Sequence, residues 1–78
     1  MEFITVKSLG GSIWSFRKDR IEMVCNRFKF NAEELEEIPA LSKRDSCAII
    51  RLMGSDKEFF CDDSYESIMK QLLEEGLE

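Results

Sequence analysis

The sequence contains no histidine and only one proline, and none of its apolar runs approaches the roughly 18 residues that a membrane-spanning helix needs. Each absence closes a class of function. Without histidine, neither a Ser-His-Asp nor a Cys-His nucleophile system can be assembled within the chain, and the commonest general base near neutral pH is missing. Zinc sites built on imidazole go with it. Glycine is scarce, at four residues. The adjacent pair Gly10-Gly11 lacks the following Lys-Ser/Thr or the third spaced glycine of a phosphate-binding loop. Cysteine is present three times, as Cys25, Cys47 and Cys61. The odd count, the wide spacing and the lack of any C-x-x-C pair fit neither a disulfide framework nor a paired-cysteine zinc site. Each cysteine lies in an apolar run, where it acts as a small hydrophobe, so the pattern predicts three reduced core thiols in a cytoplasmic protein. Met1-Glu2-Phe3 has no cationic start and no long apolar stretch after it, so no signal peptide is expected, and no membrane association.

What is present suits one small folded domain spanning residues 1–78. The chain is 44% hydrophobic and 35% charged, and six phenylalanines with Trp14 and Tyr65 give apolar area enough to drive folding. A domain of this size buries only about 60% of the surface its unfolded chain exposes, so a partner or a second copy would supply core that one chain lacks. The net charge of −5 is unevenly placed. Residues 1–30 carry Lys7, Arg17, Lys18, Arg20, Arg27 and Lys29 against only Glu2, Asp19 and Glu22, whereas residues 31–78 are strongly acidic.

Periodicity predicts the elements. Phe3 to Leu9 alternates like a strand, Gly10-Gly11 reads as a tight hairpin turn, and Ser12 to Phe16 returns as a second strand. After the polar Arg17–Arg20, a third strand starts at Ile21, with Ile21, Met23 and Cys25 on one face and the alternation able to run on through Phe28 and Phe30. Asn31 with Glu34 forms a capping-box pattern for a short helix that Pro39 ends, and Ala40 to Ser46 reads as loop. Cys47 to Met53 is nearly all apolar, which suits a central strand; Gly54-Ser55-Asp56 is a turn, and Glu58 to Cys61 a short returning strand. Tyr65, Ile68, Met69, Leu72 and Leu73 then form the stripe of an amphipathic helix, capped by Asp63 or Ser64 and followed by Gly76 at the position of a C-terminal cap. The predicted class is α+β: a mainly antiparallel sheet of about five strands with a C-terminal helix on one face.

No residue pattern predicts a catalytic, cofactor or metal site. Asp62-Asp63 suits the start of a helix, where negative charge is favoured, better than a paired-acid or metal site. Two sets of residues are candidates for partner binding. Trp14, Phe16, Phe28 and Phe30 are interleaved with cations, as in sheets that stack single-stranded nucleic acid, but equally as in a core or a protein interface. Glu33, Glu34, Glu36 and Glu37 form an acidic face suited to a basic protein surface.

Several stretches together resemble a known family. Phe3-Ile4-Thr5-Val6, Gly10-Gly11, Asp19-Arg20-Ile21, Ala48-Ile49-Ile50-Arg51-Leu52, Gly54 and Asp63-Ser64-Tyr65-Glu66-Ser67-Ile68 are laid out as in the short bacterial flagellar and swarming-motility (FlbD-like) proteins. The segment from Phe28 to Asp45 is longer than that family's connection, and its Asn-Pro near the second turn is absent. The resemblance implies an accessory or interaction role in a bacterial protein. The expected function is accordingly a non-enzymatic protein-interaction module that forms a homodimer. The alternatives are an acidic adaptor or inhibitor of the kind mobile elements or phages encode, bound to a larger protein complex, and single-stranded nucleic-acid binding through the basic aromatic half. The last is opposed by the acidic net charge, which repels a polyanion.

Overall fold

The computed structural model describes residues 3–73; the predicted Gly76 cap lies outside the described residues. In chain order the elements are β1 (Phe3–Lys7), β2 (Ile13–Arg17), a 3₁₀ turn (Lys18–Arg20), β3 (Ile21–Arg27), α1 (Ala32–Glu37), a second 3₁₀ segment (Pro39–Lys43), β4 (Cys47–Leu52), β5 (Glu58–Cys61) and α2 (Tyr65–Leu73). The fold is α+β, with all strand pairs antiparallel.

β1 and β2 form one sheet and β3-β4-β5 another. A bridge between Ser8 and Cys61 joins them, supported by Asp62 N–H to Lys7 O at 2.7 Å and Leu9 N–H to Phe60 O at 3.3 Å. The strands therefore run in the order β2-β1-β5-β4-β3. The first hairpin is wider than its two glycines suggest. Ser8 N–H donates to Ser12 O, Gly11 N–H to Ser8 O and Ser12 N–H to Ser8 Oγ, so residues 8–12 form the loop. Gly11 alone of the pair takes positive φ, at 94°.

Register decides which side chains share a face, because strand neighbours point to opposite sides. Val24, Ile50 and Phe59 lie side by side, as do Asn26, Ala48 and Cys61. On this face Ile4, Val6, Phe16, Ala48, Ile50, Cys61 and Ile68 form the main core. The other face carries Cys25, Ile49 and Phe60 in one row and Arg27 with Cys47 in another. β4 is buried on both faces, since Cys47, Ala48, Ile49 and Ile50 are all inaccessible. That is why Cys47-Ala48-Ile49-Ile50 is an unbroken apolar run.

β3 departs from simple alternation. Its register shifts between Ile21 and Met23, so Ile21 packs with Val24 on the main core while Met23 and Cys25 turn to the opposite face. One extra residue in a strand has this effect on every residue beyond it. The strand also stops at Arg27, so Phe28 and Phe30 lie beyond it.

The predicted capping box of α1 is present: Asn31 Oδ1 accepts from Glu34 N–H at 2.7 Å, and Glu34 Oε1 accepts from Asn31 N–H at 3.0 Å. Beyond Pro39 the chain forms 3₁₀ structure rather than loop, and it buries Leu41. In α2, Ser64 is the cap, its Oγ accepting from Ser67 N–H at 3.1 Å. Ile68 is buried and Tyr65 and Leu72 pack on the core, but Leu73 is 73% exposed and leaves the predicted stripe.

Candidate functional site

The two edges of β1 are used differently from those of β2. In an antiparallel ladder alternate residues turn both backbone groups toward the partner and the residues between turn them away. Thr5 and Lys7 turn away from β2, and each is met from the other side. Thr5 N–H donates to Gln71 Oε1 at 3.0 Å, and Gln71 Nε2 donates to Thr5 O at 2.9 Å. Lys7 N–H donates to Asp63 Oδ2 at 2.9 Å, and Lys7 O accepts from Asp62 N–H. The free edge of β1 is thus closed by side chains of α2 and its cap, and by β5.

β2 has no such cover. Thr5 stands opposite Ser15, Lys7 opposite Ile13 and Phe3 opposite Arg17. Ile13, Ser15 and Arg17 therefore direct their backbone N–H and C=O away from β1; the Arg17 C=O caps the 3₁₀ turn that follows, and among the described residues none bonds to the other groups there. Ile13 is 64% exposed beside this edge, and Phe3 is 54% exposed on the same outward face. No proline or bulge interrupts β2, and its one charge is Arg17, which pairs with Asp19 at 2.9 Å. Natural edge strands are commonly blunted by such devices.

Next to the hairpin is an open groove of about 420 Å³, lined by Leu9, Trp14, Ile38, Phe59 and Phe60 together with Lys57 and Glu58. Two of its lining residues, Trp14 and Phe59, belong to an aromatic cluster with buried Phe16. Trp14 and Phe16 each meet the Phe59 ring edge-on with centroids 5.2 Å apart, and Lys57 Nζ lies 5.1 Å from the Phe59 centroid.

The predicted aromatic set is divided. Phe16 is buried in the core and Trp14 half-buried against it; Phe28 is 68% exposed beyond the end of β3, and Phe30 lies under the Arg27 guanidinium at 5.6 Å. The four rings do not make one stacking platform. The predicted acidic set is divided too. Glu33, Glu36 and Glu37 are exposed, but Glu34 is a structural residue, bonded to Arg27 Nη2 at 2.6 Å as well as to the cap. The hydrogen bond from Arg27, then that from Asn31, holds the Glu34 carboxyl below its ordinary value, and the same bond raises Arg27. Arg27 also reaches Glu58 at 3.5 Å, so it ties α1 to the sheet.

Burial pushes both core thiols up, Cys61 to about 12, which keeps them protonated and poor nucleophiles. Among the described residues, no group of three or more Cys, Asp or Glu is placed to hold a metal ion. Among the same described residues, no helix is long and apolar enough to cross a membrane. Ile13, Ser15 and Gln71 carry no motif signal. Only the parity of the β1–β2 ladder brings the first two to an open edge, and only the docking of α2 brings Gln71 to Thr5.

The chain matches no family model, and no curated protein or solved structure was found to be similar to it. The layout likeness to FlbD-like proteins therefore rests on the quoted residues alone.

Proposed function

We propose that this chain is a non-enzymatic protein-interaction module that associates with itself. The observation that supports it is the uncovered β2 edge, bordered by exposed Ile13, in a chain whose β1 edge is closed at Thr5 and Lys7. An uncapped regular strand is a template for another strand, and a small domain gains the burial it lacks by accepting one. Light scattering across a micromolar dilution series tests this reading: a mass rising from monomer to dimer supports it, and a constant monomer mass contradicts it.

A second reading, an adaptor for a basic protein surface, is favoured by Glu33, Glu36 and Glu37, which are exposed on α1 and form no ion pair among the described residues. Association through them would be fast and weakened by salt.

A further inference from the structure

We infer that a second copy of this chain adds to β2 in antiparallel orientation, with the two-fold axis passing through Ser15. The inference rests on the self-association reading above and names its interface.

Ile13, Ser15 and Arg17 present outward backbone groups, while Trp14 and Phe16 have theirs engaged with β1. A partner strand must set outward groups against outward groups, which forbids a slip of one residue. With Ser15 on the axis, Ser15 meets Ser15 of the second copy, and Ile13 and Arg17 each meet the other. This register engages the outward N–H of all three residues, although the Arg17 C=O also caps the following 3₁₀ turn; a slip of two leaves one of the three without an opposite.

The side chains agree with that register. On the outward face, Arg17 lies against exposed Ile13 of the second copy, where its methylene stem can cover apolar surface while the guanidinium stays in water. No like charges face each other, and Arg17 is already neutralised by Asp19. Ser15 is small and exposed, so it can approach its own copy at the axis. On the core-facing side, half-buried Trp14 comes opposite Phe16 of the second copy and extends the Trp14–Phe16–Phe59 cluster across the interface. A surface complementary to itself about one axis closes as a dimer and does not propagate.

The test is a charge swap at the axis. Ser15→Lys and Ser15→Glu place like charges opposite each other in each homodimer and opposite charges in the mixed pair. Each variant alone is expected to dimerise about fivefold more weakly than the unaltered chain, and mixing the two to restore association. Ser15→Pro removes an N–H that β1 does not use. With an unchanged circular dichroism spectrum, it is expected to weaken the dimer by about tenfold. Should that variant misfold, the charge swap still decides. Variants that dimerise as tightly as the unaltered chain, or a mixture no tighter than its components, would overturn the β2 interface while leaving self-association standing. An unaltered chain that stays monomeric overturns both.

Discussion

The Gln71 side-chain amide takes up both backbone groups of Thr5, accepting from its N–H at 3.0 Å and donating to its carbonyl at 2.9 Å. A primary amide has the donor and acceptor of a peptide group, so Gln71 acts as one residue of an added strand where β1 has diverged from β5. Helix α2 thereby closes one edge of the β1–β2 ribbon and leaves the other to β2.

Replacing Gln71 by alanine removes both bonds without touching the core. The expected cost is about 1–3 kcal/mol, since each of the two bonds contributes about 0.5–1.5 kcal/mol net. Urea denaturation should show a lower midpoint with an unchanged slope. An unchanged midpoint would mean that water replaces the amide at no cost.

Glu34 links the α1 cap to Arg27, so Glu34→Gln should cost about 1 kcal/mol and loosen the attachment of α1 to the sheet. Its carboxyl is held below the ordinary value, so its contribution is complete above the ordinary carboxylate value and is lost as pH falls through the lowered one. The variant should lose stability at neutral pH and little more on acidification through that window. A pH series of urea midpoints reads both.

Cys47 and Cys61 are buried, whereas Cys25 is half-buried. Alkylation near pH 8 followed by mass spectrometry should modify Cys25 first and the other two only as the fold opens. Because burial lifts the Cys61 thiol to about 12, its stabilising contribution is complete below the ordinary thiol value, about 8.5, and is lost as pH rises toward the folded value. Stability should therefore decline across that alkaline range.

Ile68 and Leu73 belong to the same sequence stripe but differ in the fold, one fully buried and the other 73% exposed. Ile68→Ala should cost about 2–5 kcal/mol, a large share of a small domain's stability, while Leu73→Ala should stay within about 0.5 kcal/mol. Equal costs would mean that α2 docks in a different rotation.

Strands, helices and most of the core were legible because period-two and helical apolar patterns report burial directly: β4 read as central, and Asn31 with Glu34 read as a cap. The parity of β3 was not, because a bulge moves side chains to the other face without leaving a residue signature. Phe28 and Phe30 continued the alternation on paper, yet β3 ends at Arg27, whose guanidinium turns to Glu34 and Glu58. The cap pattern accounts for the bond between Glu34 and Asn31, but not for Arg27, seven residues away, which takes Glu34 out of the acidic face of Glu33, Glu36 and Glu37. The β2 edge was hidden for a related reason: whether a backbone group is free depends on what the rest of the chain brings to it.

The most direct measurement is amide hydrogen exchange of the full chain by NMR at low and high protein concentration, read at Ile13, Ser15 and Arg17. These N–H groups point away from β1, so in a monomer they exchange freely. The account predicts that their protection rises with concentration while that of the core strands changes little. Unprotected exchange at all three residues across the whole range, in a chain that still dimerises, would contradict it.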